Sequence, residues 1–167
     1  MGYTTPSCRA AVVGGRGVFI VRKTKKEIIE IIQVCAALES MAARLATINA
    51  SDEQIGALRH MFDEFHSSAP SEHLHEYSDA NIAFHQAIIN LSGSHLMSKT
   101  IENLFVHVRA IRRMTISQKD RASRSIADHM RIIQALERRD TEVAERLVRQ
   151  HSLDLAAHVD KYCDFLD

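Results

Sequence analysis

Tyr77-Ser78-Asp79-Ala80-Asn81-Ile82-Ala83-Phe84-His85-Gln86-Ala87-Ile88-Ile89-Asn90-Leu91-Ser92-Gly93-Ser94 carries two patterns at once. Tyr77, Phe84, Ile88 and Leu91 recur at helical spacing along one face. Asn81 and His85 occupy that same face, one turn apart. Polar groups on a buried face need partners. Gly93 then supplies the left-handed residue with which helices commonly end. The spacing predicts a core helix with a possible ligand pair in its buried wall.

Outward from this helix the same period repeats. Upstream, Ile28, Ile31, Ile32, Cys35, Leu38, Glu39, Ala42 and Leu45 trace a first helix from Lys25 to about Thr47. Ser51 and Gln54 form the signature of a capping box before Ile55, Leu58, Met61, Phe62 and Phe65. Downstream, Ser94 can cap a fourth helix with the stripe Ile101, Leu104, Phe105, Val108 and Ile111. Thr115–Arg124 reads as a polar loop. A fifth helix turns Ile126, His129, Met130, Ile133 and Leu136 inward, and Arg138-Arg139 place positive charge at its end. Asp140 or Thr141 caps a sixth, with Ala144, Leu147, Val148, His151, Leu155 and His158 facing in. The expected fold is all-α, an antiparallel bundle of about six helices. Residues 9–22 differ: two β-branched runs flank Gly14-Gly15-Arg16-Gly17, the mark of a short hairpin.

Composition agrees with a soluble globular chain. Of 167 residues 46% are hydrophobic and 25% charged, enough to bury one core. The charge-free run Ile82–Ser98 contains Asn90 and His95 and is too short and polar to span a membrane. Cys8, Cys35 and Cys163 lack metal-type spacing and read as reduced cytosolic thiols. Net charge is zero, but residues 1–26 hold six basic side chains and no acid, leaving an acidic body. That polarity fits either a segment near nucleic acid or an unstructured basic tail.

Three helices each place a histidine in their apolar stripe: His85, His129 and His151. Imidazole is the commonest protein ligand for transition metals, and bundle cores are where such sites are built. A shared metal site and three separately satisfied core histidines are the two readings. His73 and His75 fall in a loop, whereas His60, His66, His95 and His107 fall largely off the inner stripes. Glu72 and His75 have the ExxH spacing of a di-iron bundle, but only one such pair occurs. HExxH, a Gly-rich phosphate loop and a GxSxG elbow are all missing from the sequence.

Asn81-x-x-Phe84-His85-x-x-Ile88, the Ser92-Gly93-Ser94 turn, His129-x-x-Ile132-x-x-Ala135-Leu136-x-x-x-Asp140-x-x-x-Ala144 and His151 resemble the FCD domain, the ligand-sensing domain of FadR-type GntR transcription regulators. Leu38-Glu39-x-x-Ala42-Ala43-x-x-Ala46 looks like that domain's opening helix. Gly15-Arg16-Gly17-Val18-Phe19-Ile20-Val21 is similar to the wing that ends these regulators' winged-helix domain, and Arg16 is its candidate nucleic-acid contact. The implied organisation is a wing remnant and linker over 1–24 and an effector-binding domain over 25–167. The helix-turn-helix that should precede the wing has no counterpart in the few residues before it.

The resemblance implies Asn81, His85, His129 and His151 as ligands of a divalent metal, zinc or nickel. It also implies a cytoplasmic homodimer, a small carboxylate effector, and operator DNA contacted through the missing helix-turn-helix. The family most often has aspartate where this chain has Asn81, and an amide oxygen compensates less metal charge. It often has arginine where Cys35 stands. Arg109, Arg112 and Arg113 are the candidate anion partners. The rival expectations are a metal-dependent enzyme acting on a small acid, and a helical bundle without ligand.

Overall fold

The computed structural model describes residues 9–12, 18–21, 23–65, 74–118 and 120–166. Among them six α-helices form the body: α1 (Lys25–Asn49), α2 (Asp52–His60), α3 (Leu74–Leu91), α4 (His95–Thr115), α5 (Arg121–Glu137) and α6 (Thr141–Tyr162). Two strands precede them, β1 (Arg9–Val12) and β2 (Val18–Val21), paired antiparallel from Arg9↔Val21 to Val12↔Val18. The expected hairpin and all-α bundle are both present. Arg16 lies outside the described residues.

α1 is the helix the others gather on. It packs against α6 along much of its length, and against α3, α4 and α5. Small side chains permit this: Ala42, Ala43 and Ala46 on α1 meet an α6 face that holds Ala144, and all four are fully buried. Larger residues fill the space beyond them, including Phe62, Tyr77, Phe84, Ile111, Ile132 and Leu136. Thr24 starts α1 with a capping box: its Oγ1 accepts from Glu27 N, and Thr24 N donates to Glu27 Oε2 at 2.9 Å. An 18-residue window of α1 reaches a mean hydropathy of 1.4, the level of a membrane span, but half of it is buried in the bundle.

The helix signals read from sequence work as capping chemistry. Ser51 and Gln54 form their capping box, Ser94 accepts from Met97 N, and Asp140 accepts from Val143 N. Gly93 adopts φ +69°, ending α3 where Asn49 Nδ2 donates to Ser92 O at 2.7 Å. Arg139, also at positive φ, does more than complement the α5 dipole. Its guanidinium donates to Thr47 O and Ala50 O, satisfying carbonyls at the end of α1, and pairs with Asp52.

Three local expectations need correction. The polar loop is shorter than Thr115–Arg124, because α4 continues through Thr115 and α5 already begins at Arg121. Arg121 and Ala122 are buried, so packing rather than apolar pattern holds that first turn. His75 lies in the first turn of α3, not in a loop, and His73 is outside the described residues. His107 is buried on α4 despite its place beside the main stripe.

A candidate metal centre

α3, α5 and α6 bring His85, His129 and His151 together. One potential ligand nitrogen from each lies within 4.8 Å of the other two. Ring centroids are 4.7 Å apart for His129–His151, 5.2 Å for His85–His151 and 5.4 Å for His85–His129. All three side chains are buried. Asn81 is buried one turn before His85, and its Oδ1 lacks a hydrogen-bond partner.

Each imidazole turns its Nδ1 toward an oxygen. His151 Nδ1 lies 3.2 Å from Asp128 Oδ2, His129 Nδ1 3.3 Å from Tyr77 Oη, and His85 Nδ1 3.1 Å from Glu39 Oε2. The Asp128 oxygen accepts only, which favours the Nδ1–H tautomer at His151 and leaves a lone pair on its Nε2. Both ring nitrogens of His85 and the Nε2 of His129 are buried without a hydrogen-bond partner. A buried polar atom left this way costs ~1–3 kcal/mol. Histidines present only to fill a core would be expected to satisfy both nitrogens. Three converging imidazoles could hold a metal ion.

Electrostatics keep the cluster ready for a cation. Burial pushes the His129 pKa well below its ordinary value, and His151, Arg112 and Arg121 push it the same way. Burial also lowers His151, against the opposing pull of Asp128. At Asp128 burial raises the carboxyl, but the His151 hydrogen bond and Arg131 together hold it below the usual range. His129 and His151 are therefore held in the neutral form, the one that binds metal.

Behind His85 sits a buried polar knot. Glu39 Oε2 accepts from Ser152 Oγ at 2.6 Å, and Arg112 Nη2 reaches Glu39 Oε2 at 3.3 Å. Cys35, one turn before Glu39, has its thiol pushed up to about 12 by burial and by Glu39. Of the three arginines singled out from sequence, only Arg112 belongs to this buried region. Arg109 donates to Gln86 Oε1 at 2.9 Å beside the Phe105 ring, and the exposed Arg113 pairs with Asp79 at 2.8 Å. Sequence reasoning missed Asp128 and Tyr77 as imidazole partners and Arg121 as a buried cation. Glu39 did carry a signal, as the one acid in an apolar stripe.

The geometry defines a six-helix bundle with three buried histidines converging in its core. A family model for the FCD domain matches residues 30–154, and the chain belongs to that family, the FCD domain of GntR-type regulators. Among curated proteins it is 29% identical over 150 residues to the HTH-type transcriptional repressor GlaR of Escherichia coli K12, covering 85% of this chain and 68% of that one. It is 25% identical over 123 residues to the repressor RspR of the same organism, covering 74% of this chain and 54% of that one. The chain thus spans between about half and two thirds of these relatives' lengths.

Two solved structures share the fold. Escherichia coli McbR/YncC matches with a TM-score of 0.76 at 18% identity, covering 93% of this chain and 74% of that one. Streptococcus agalactiae GntR matches at 0.65 and 15%, covering 92% and 75%. The curated relatives are repressors and regulators of transcription, which sets aside the reading of an enzyme acting on a small acid.

Proposed function

We propose that this chain is the effector-sensing and dimerisation part of a cytoplasmic transcription regulator, with His85, His129, His151 and Asn81 as ligands of a divalent metal. Residues 25–167 form the sensing domain, and 1–24 the wing and linker. The observation that carries this reading is the convergence of three imidazole nitrogens within 4.8 Å, two of the rings having a buried Nε2 without a partner. A metal held there supplies positive charge and an open position for one oxygen of a small carboxylate. Asp128 and Tyr77 fix the His151 and His129 rings, and Arg112 adds positive charge behind His85.

The outer face of α1 supports dimerisation. Val34, Leu38, Met41, Leu45 and Ile48 alternate at spacings of four and three, the seam by which two helices pair. Val34, Met41 and Ile48 are 50%, 42% and 63% exposed. A dimer suits a two-fold symmetric operator. The DNA is read by a helix-turn-helix outside the residues described, with Arg16 contacting phosphate. An effector that binds one dimer arrangement more tightly changes the spacing of the DNA-reading heads.

Metal analysis of the purified chain tests the centre. One zinc or nickel per chain is expected, with His129→Ala losing both metal and thermal stabilisation by metal. Full-length protein that melts identically with and without metal, and retains none after dialysis, would refute it.

A further inference from the structure

A cavity of about 540 Å³ opens between α3 and α4, and none of His85, His129 and His151 lines it. Its floor is apolar, made by the buried Ile89, Ile101 and Phe105. Its rim is polar, and the charge there opposes that of the rest of the body. Residues 27–167 carry more acidic than basic side chains, whereas on this rim Arg109 and Lys99 outnumber Glu102.

Arg109 is held ready for an anion. Its Nη2 donates to Gln86 Oε1 at 2.9 Å, and its guanidinium carbon lies 5.3 Å from the centre of the Phe105 ring. These contacts orient the group without neutralising it, because one partner is an amide and the other a hydrocarbon ring. Its Nε is buried without a hydrogen-bond partner, and among the described residues no carboxylate pairs with it. The rest of the cavity follows in order along α4. Phe105 lies one turn from Arg109, Ile101 two turns, and the exposed Glu102 between them makes no ion pair among the described residues. Asn90, one turn beyond Gln86 on α3, adds an amide to the rim. From Arg109 to Glu102 the helix rises roughly 10 Å at 1.5 Å per residue.

We propose that this cavity is a second ligand site, separate from the histidine centre, and that it takes a nucleoside monophosphate whose base carries an amino group. The phosphate pairs with Arg109, whose planar fork matches its oxygens. The flat base lies on the floor of Ile89, Ile101 and Phe105, and its exocyclic amine donates to Glu102. A phosphate brings about 1.5–2 negative charges at neutral pH, which suits a guanidinium that no acid of the chain has claimed. The rise from Arg109 to Glu102 matches the reach from a 5′-phosphate to the amino edge of its base. The cavity volume lies in the small-molecule range.

The test titrates adenosine 5′-monophosphate, adenosine and ribose 5-phosphate calorimetrically into the EDTA-treated full chain, so that no metal competes for phosphate. The monophosphate should bind at least ~tenfold more tightly than either half of it, as expected when a charge-assisted pair and an apolar contact act together. Arg109→Gln should reduce it to the affinity of adenosine, and Arg109→Lys, which keeps the charge, should retain part of the difference. Arg146→Gln, which removes an exposed arginine of α6, should change nothing. The wild-type chain should also prefer adenosine to inosine 5′-monophosphate, which has an oxo group in place of the amine, and Glu102→Ala should abolish that preference. The proposal is overturned if the monophosphate does not bind, if adenosine binds as tightly, or if the affinity survives Arg109→Gln. An equal loss on Arg146→Gln overturns it too, since net charge alone would then explain the binding, as does a preference over inosine 5′-monophosphate that survives Glu102→Ala.

Discussion

Glu39→Ala should be among the most destabilising single changes on α1. Glu39 and Arg112 are 1% and 2% exposed, so water cannot replace the carboxylate once it is removed. The change strands the Arg112 guanidinium, takes the acceptor from Ser152 Oγ, and removes the oxygen facing His85 Nδ1. Breaking a buried pair from one side costs about 3–5 kcal/mol. In a domain of this size that lowers Tm by roughly 6–20 °C. The pair itself is not a strong net source of stability, because burial lowers the Arg112 pKa by more than Glu39 raises it. Removing both charges should therefore recover most of the loss. Urea unfolding of wild type, Glu39→Ala, Arg112→Met and the double variant, all metal-free, measures the cycle. A single-variant loss under ~1 kcal/mol, or a double variant no more stable than Glu39→Ala, refutes the buried-pair argument.

Asn81→Asp should tighten zinc binding and raise Tm with zinc present, while lowering or leaving unchanged the metal-free Tm, because a buried carboxylate without a cation is costly. Unaltered zinc affinity in calorimetry, with His85→Ala abolishing binding, removes Asn81 from the ligand set. Acidification should weaken the metal-free fold. Burial depresses His129, His151 and His158 in the folded chain, His158 to about 4, whereas unfolded histidine titrates near ~6.5. Below ~6.5 the unfolded chain therefore holds more protons, so stability is fully present above that pH and falls beneath it. A urea midpoint in EDTA that stays flat from pH 7.5 to 5.5 contradicts this. Met41→Glu should convert the dimer to monomer in light scattering at micromolar concentration, and a persistent dimer excludes the α1 seam as its interface.

The bundle was legible because burial of helices leaves a periodic trace, and His85, His129 and His151 were legible because each interrupts one. Asn81 could be set beside His85 for the same reason. What surrounds the imidazoles was not. Asp128 is adjacent to His129 in sequence but partners His151 on the next helix, and Tyr77 looks like any core aromatic until its hydroxyl meets His129. Arg121 falls where the apolar pattern lapses, so a buried cation looked like a loop residue. Such pairings depend on how helices are set against one another, which one-helix periodicity does not encode. Leu38 and Leu45 illustrate this on α1: both lie on the stripe read as inward, yet both are only partly buried, at the edge of the outer seam.

The Thr24 capping box has a mechanical consequence. β2 ends at Val21 and α1 begins at Lys25, and the cap ties the last residue before the helix to its first turn. Thr24 therefore moves with the first turn of α1. From Lys25 to Glu39 the axis runs roughly 21 Å at 1.5 Å per residue, so a 10° tilt about Glu39 carries the strand end of α1 through about 4 Å. Were α1 to pivot as one rod beside His85, a small adjustment in the core would become a displacement of about 4 Å at its Thr24 end.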